Sequence, residues 1–237
     1  MQIFYAPDLL ESTFRNLSES ESHHIVQVLR IKIGEHIKLT DGKGTMATAV
    51  LTGVEKKHCQ VKILDVVHVP KDFNCSIQIA IAPVKSMDRF DWFLEKSCEL
   101  GIDKIKPVLT NNCERNKLNI EKCKTRLVSA MKQSGRAWLP EISEVVHFNK
   151  YISGNDINTQ KFIAYCGQNQ KTFLFNAIKK RLNTEILIGP EGDFTYQEFE
   201  QALSNNWLPV TLGNYTLRTE TAGLSALMQY NLVNTLE

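Results

Sequence analysis

Apolar and polar positions change rhythm about a third of the way along the chain. Through the first seventy residues the segments "IFYA", "HIKLT", "TMATAVLTGVE" and "CQVKILDVV" carry partial period-two alternation and β-branched residues, which predicts short strands. Asp41-Gly42 and Glu55-Lys56-Lys57-His58 read as their turns. "ESHHIVQVLR" interrupts the strands with helical spacing at Ile25, Val28 and Leu29, ending in Arg30. The pattern predicts a small β-barrel over residues 1–70, with Val69-Pro70-Lys71-Asp72 as the linker.

Beyond that point strands and helices alternate. "SIQIAIAP" reads as a strand, "MDRFDWFLEKSCELG" as a helix closed by Gly101 and "IKPVLT" as a strand. "IEKCKTRLVSAMKQS" reads as a helix, "KFIAYC" as a strand, "TFLFNAIKKRL" as a helix and "EILIG" as a strand. Thr195-Tyr196-Gln197-Glu198 fits a capping box that opens a helix; "LPVTLG" is then a strand, and a last helix begins at about Thr221. This alternation predicts an α/β domain over residues 71–237 with a mostly parallel, helix-covered sheet.

Two strand ends carry glycine loops that run into helices, "LIGPEGDF" and "LGNYTLRTETA". Exposed N–H groups and a helix dipole meet in such loops, which suits a nucleotide-like ligand. They follow successive strands, so they are expected to lie side by side on neighbouring strands and to cradle one ligand. Gly42-Lys43-Gly44-Thr45-Met46-Ala47 also matches a dinucleotide fingerprint, but strand-like residues follow it where a helix is required. The chain has no Gly-x-x-x-x-Gly-Lys-Ser/Thr, so ATP hydrolysis has no support.

Composition narrows the class without naming a function. The 237 residues are 43% hydrophobic and 23% charged, as in ordinary globular proteins. No apolar run approaches the ~18 residues of a membrane-spanning helix, and the first residues lack a signal-peptide pattern. The expectation is a cytoplasmic protein. The six cysteines are scattered, without Cys-x-x-Cys pairs or zinc spacing, and read as thiols rather than a metal site or disulfide frame.

The net charge of +2 hides a polarity. Between Lys104 and Arg136 nine basic residues face only Glu114 and Glu121, whereas from Thr184 onward Arg218 is the one cation among seven acids. A segregated basic segment points to a polyanion surface, and its alternative is a solvated helix face. Helical spacing puts Lys85, Arg89, Trp92, Lys96 and Glu99 on one stripe, with Phe90, Phe93, Leu94 and Cys98 opposite. Phosphate contacts with base stacking would use that stripe; Lys96 and Glu99 could equally pair on a solvated face. Arg115 and Arg136, in loops, are further phosphate-binding candidates.

"LIGPEGDF" and "LGNYTLRTETA", preceded by "KSMDRFDWFLEKSCELG" and "KQSGRAWLP", resemble the ribosomal RNA uridine-N3 methyltransferases of the SPOUT class. "HHIVQVLRIKIGEHIKLTDGKG" resembles the PUA-like, RNA-binding barrel of that family, so the likeness covers nearly the whole chain. The resemblance implies a C-terminal trefoil-knot domain, a homodimer, S-adenosylmethionine as cofactor, no metal, and 16S ribosomal RNA or the small subunit as partner. It implies methylation at N3 of one uridine, uridine 1498 in the usual numbering. Leu187, Gly189, Pro190, Glu191 and Gly192, with Leu212, Gly213, Leu217, Thr221 and Ala222, would hold the cofactor. Arg30, Lys85, Arg89, Arg115 and Arg136 would face RNA. Arg218 would stabilise charge on the deprotonated uridine, and Glu220 would act as base or orient Arg218. Alternatives are a SPOUT enzyme acting on another ribosomal or transfer RNA nucleotide, and a non-catalytic RNA-binding or assembly protein. Two places depart from the family pattern: Asp193 stands where members usually have a second glycine, and Asn214-Tyr215-Thr216 where they usually have Pro-Arg and an aliphatic.

Overall fold

The computed structural model describes residues 2–55, 57–154, 157–167 and 172–235. Lys56, in one expected turn, lies outside them. The chain forms two compact units, and the break between them is not a single point. Residues up to Asp72 cluster with Val128–Leu139, while Phe73–Leu127 clusters with the chain from Pro140 onward.

The first unit contains β1 (Ile3–Tyr5), β2 (Phe14–Asn16), α1 (Glu19–His23), β3 (His36–Thr40), β4 (Thr45–Glu55) and β5 (His58–His68). Its five strands are ordered β1-β3-β4-β5-β2, and β1 runs parallel to β3 while the other pairs are antiparallel. The expected barrel is in its hydrogen bonding a five-stranded sheet; among the described residues no ladder joins β1 to β2. Period-two burial is plain in β4, where Thr45, Ala47, Ala49 and Leu51 point inward. Ala47, Ala49 and Leu51 join Phe4, Ile25, Ile37, Leu39 and Val61 in one core.

The helical segment after Ser18 starts two residues before the expected one, ends two residues before it, and changes geometry midway. α1 passes into a π-helical turn over His24–Val28, and Arg30 ends it in the left-handed region at φ 55°. Asp41 and Gly42 make the turn before β4: the Asp41 Oδ1 accepts from the N–H groups of Lys43 and Thr45, at 2.7 and 3.0 Å. The glycines there serve a strand connection, so the false dinucleotide motif is correctly rejected. The 69–72 segment is more than a linker, because Val69 bonds to Gly44 and accepts from the Trp138 indole, both in this unit.

The second unit comprises β6 (Ile77–Ile81), α2 (Met87–Glu99), β7 (Lys104–Leu109), α3 (Ile120–Ser134, its last turns belonging to the first unit), β8 (Glu141–Ile142), β9 (Val146–His147) and α4 (Phe148–Ile152). It continues with β10 (Thr159–Ala164), β11 (Thr172–Phe173), α5 (Leu174–Ala177), β12 (Asn183–Ile188), α6 (Tyr196–Ser204), β13 (Leu208–Thr211) and α7 (Thr219–Thr235). All ladders of its eight-stranded sheet are parallel, in the order β11-β13-β10-β12-β6-β7-β8 with β9 also on β7. A sheet covered on both faces needs apolar strands, and Ile77, Ile79, Ala80, Ile81, Ile186, Leu187 and Ile188 are all buried. Gly101 closes α2 at φ 87°, the left-handed position where a side chain would be strained.

Three expectations need correction. "TFLFNAIKKRL" is not one helix: after β11, α5 makes a single turn, Ile178 returns to extended backbone and Arg181 is left-handed at φ 61°. Side chains from elsewhere capture the backbone there, since Gln160 accepts from Lys179 N–H and Asn234 from Arg181 N–H. β2, β8, β9 and α4 were not foreseen, being two to five residues long and too short to show a period. Finally, β12 and β13 are not neighbours; β10 lies between them.

The capping box at Thr195 is present in full. Its Oγ1 accepts from Glu198 N–H at 3.2 Å, and Glu198 Oε2 accepts from Thr195 N–H at 2.9 Å. Phe199 and Ala202 of α6 then pack with Phe194, Phe148 and Trp207 beneath the sheet ends. Thr195→Ala is expected to lower the unfolding free energy by about 1 kcal/mol, seen as a lower denaturant midpoint at unchanged slope.

Candidate active site

Parallel register brings the loops together. Ala164 of β10 pairs with Ile188 of β12 on one side and Val210 of β13 on the other, so three strands end level. Their loops emerge at the carboxyl edge of the sheet, where ligands bind in open α/β folds. Between them is a cavity of about 770 Å³.

Of the residues expected to hold a ligand, Gly189, Pro190, Glu191, Gly192, Leu212, Gly213, Leu217 and Ala222 line this cavity. Leu187 does not: it is fully buried in the core beneath, paired with Ile163. Thr221 is exposed on the first turn of α7 and also does not line it. Sequence reasoning missed the contribution of Ala164 at the end of β10, of Tyr165 and Cys166 just past it, and of Phe173. Those residues carry no motif; only the strand order places them. It also missed Thr219, whose hydroxyl donates to the Gly189 carbonyl at 2.9 Å and so ties one glycine loop to the other.

The loop after β12 is held tightly. Gly189 cannot carry a side chain, because a Cβ there would come within 2.9 Å of the Phe194 ring. Asn112, after β7, donates to the carbonyls of Gly192 and Asp193, both at 3.0 Å. Asp193 is left-handed at φ 56°, so aspartate adopts the turn that a glycine would favour. The buried Glu198 uses its second oxygen to accept from Asn111 N–H at 2.8 Å.

Charge divides sharply here. Among the described residues the charged lining of the cavity is Glu191 and Asp193, with no described lysine, arginine or histidine beside them. That favours a cationic ligand over a phosphate. Glu191 Oε1 accepts from Lys85 N–H at 3.2 Å.

Four of the five cations expected to face RNA have partners within the protein, Arg89 among them through Glu220. Arg115 donates to the carbonyls of Val84 and Lys85, the shorter bond being 2.6 Å, and so fastens the loop before α2. Lys85 pairs with Glu114 at 2.6 Å. Arg136, in the first unit, pairs with Asp72 at 3.8 Å; Arg30 is exposed. On α2 the stripe divides: Phe90, Phe93, Leu94 and Cys98 are buried as expected, Lys96 pairs with Glu95 and Glu99, and Trp92 stays 44% exposed.

Glu220 does not pair with Arg218. It is buried on the first turn of α7, with Oε1 3.9 Å from Arg89 Nε and Oε2 without a partner. Arg89 is 43% exposed, so the pair is worth at most ~1 kcal/mol. Arg218 is exposed, and its guanidinium meets no carboxylate within ion-pair distance among the described residues. Neither Arg218 nor Glu220 lines the cavity itself.

No helix among the described residues is long and apolar enough to cross a membrane. None of their His, Cys, Asp and Glu side chains cluster in threes fit to hold a metal ion.

Comparison with known proteins agrees with this architecture. A family model described as an RNA methyltransferase domain matches residues 71–231, and one described as an RNA methyltransferase PUA domain matches residues 17–64. The chain belongs to this RNA methyltransferase family. Among its relatives is the ribosomal RNA small subunit methyltransferase E of Neisseria gonorrhoeae, whose crystal structure is bound to S-adenosyl methionine. It is 30% identical, with a TM-score of 0.89 over 99% of this chain and 98% of that one. The protein of the same description from Rickettsia conorii is 26% identical over 221 residues, 91% of this chain and 88% of the relative. That from Bacillus subtilis is 25% identical over 224 residues, 90% of this chain and 87% of the relative.

Cys166 is exposed at the cavity, while Cys59, Cys75, Cys98 and Cys123 are buried. Burial, the main cause, also pushes the Cys59 and Cys123 thiols up, away from the reactive thiolate. Limited iodoacetamide treatment of the folded protein is therefore expected to label Cys166 well ahead of those four, as read by peptide mass mapping.

Proposed function

We propose that the chain is an S-adenosylmethionine-dependent methyltransferase that methylates N3 of one uridine in small-subunit ribosomal RNA. The observation that carries this reading is the cavity of glycine-loop backbone at the level ends of β10, β12 and β13, whose charged lining among the described residues is Glu191 and Asp193. A sulfonium with an attached ammonium group fits such a lining, and a nucleoside phosphate does not. The 30% identical Neisseria protein, bound to S-adenosyl methionine, supports the same cofactor. The relatives' description as small-subunit ribosomal RNA methyltransferases supports the RNA.

When bound, S-adenosylmethionine supplies an electrophilic methyl group whose leaving group is a neutral thioether. Acid assistance on that side is unnecessary, so the residues' task is alignment. The backbone from Gly189 to Gly192 and from Leu212 to Leu217 holds and orients, fixed by Thr219 and Asn112. On the other side, uridine N3 must lose its proton, leaving charge over N3, O2 and O4. Arg218, exposed and without a carboxylate in ion-pair reach among the described residues, is the cation for that charge. Glu220, buried with one unpartnered oxygen and with the partly exposed Arg89 as its ion-pair partner, receives the proton.

Arg30, Lys85, Arg89, Arg115 and Arg136 remain in the proposal as an RNA-facing set, although Arg115 also serves the fold. The trefoil knot and homodimer implied by the resemblance belong to the same reading. Exposed Trp92 on α2, with Met228 and Leu232 on α7, supports a face that another protein covers.

Mass mapping of nucleosides in small-subunit ribosomal RNA, with and without the protein, tests the reading. One N3-methyluridine that appears only with the protein is the expected result; a methyl group on another nucleotide redirects it, and none at all overturns catalysis. Arg218→Ala is expected to lower the methyl-transfer rate by about 100-fold or more, with calorimetric affinity for S-adenosylmethionine within about 2-fold of the wild type. Equal losses in both would move Arg218 into the cofactor site.

A further inference from the structure

Asp193 makes more connections than a turn residue needs. Its N–H bonds back to the Pro190 carbonyl at 2.9 Å, closing the turn after β12, and its own carbonyl accepts from Asn112 in the loop after β7. Its carboxylate then does two further things. Oδ1 accepts from Phe194 N–H at 2.8 Å, at the entry to α6. Oδ2 accepts from Cys166 N–H, also at 2.8 Å, just past the end of β10 where the β10–β12 ladder has stopped at Ala164. Beside it, a Cβ added to Gly189 would lie 3.3 Å from Oδ1, so the carboxylate packs against the cavity's first glycine.

We propose that Asp193 is a positioning residue that clamps the β10 wall of the cavity to its glycine loop, fixing the width of the cofactor site. A glycine at φ 56° would relax the backbone, but it would leave Cys166 and Phe194 without these acceptors. Bonds to a carboxylate are stronger than bonds to a neutral acceptor, so the clamp offsets the strain of a left-handed aspartate. The ladder itself cannot replace it, because Tyr165 and Cys166 lie beyond the last β10 pairing. The proposal rests on this cavity's being the S-adenosylmethionine site.

Three measurements on the full chain test it: calorimetric Kd for S-adenosylmethionine, amide exchange at Cys166, and the thermal midpoint. Asp193→Gly is expected to speed Cys166 exchange and to raise Kd by about 10-fold, the effect of losing charge-assisted bonds. The midpoint should stay within a few degrees, because relief of the strained φ offsets lost bonds. Asp193→Asn, which tolerates the left-handed turn and keeps one acceptor oxygen, should give a smaller rise of about 3-fold; it also serves if the glycine variant does not fold. A Kd within 2-fold of wild type in either folded variant, or unchanged Cys166 exchange, overturns the clamp. If the wild-type protein itself fails to bind S-adenosylmethionine, the functional reading fails, and Cys166 exchange then judges the clamp by itself.

Discussion

The level ending of parallel strands is the constraint on which the second unit depends. Ala164 pairs with Ile188 and with Val210, and Ile188 pairs in turn with Ile81. Four consecutive strands of the sheet therefore finish at one height, and their connections must leave at one edge. The ladders among these four strands stop at that height, and the loop backbone beyond needs other partners. The side chains of Asn112, Asp193, Glu198 and Thr219 meet that need within the loops. The cavity is what remains between loops so pinned.

Glu198 shows how one carboxylate can serve several levels of structure. It is nearly fully buried, yet both oxygens are occupied: one by Asn111 N–H after β7, the other by the Thr195 amide and hydroxyl. Its charge sits in the first turn of α6, where the helix dipole favours it. The same residue thus caps a helix, joins two loops and fixes where Phe199 enters the core.

Cations are used more internally than their clustering suggests. Arg115 fastens a loop through carbonyls, Arg126 reaches Asp91, and within the first unit Lys132 reaches Glu21 and Arg136 reaches Asp72. A run of basic residues in sequence is a count of charges, and the fold decides which of them meet acids. Arg218 stands apart because α7 turns Glu220 inward toward Arg89.

Local sequence determined the elements whose signals are local. Period two placed β4, spacing of three and four placed the buried side of α2, Gly101 ended that helix, and Thr195 with Glu198 opened α6. Both glycine loops were legible for the same reason, since turn chemistry is written in adjacent residues. Short elements such as β8 and α4 left no period to read, and α5 stopped early because Gln160 and Asn234, distant in sequence, captured its backbone. Tertiary structure alone decided that β10 lies between β12 and β13, that Cys166 therefore walls the cavity, and that Glu220 pairs with Arg89. Strand order and ion pairing are set by contacts between residues far apart in the chain, and no local pattern records which distant partner each will find.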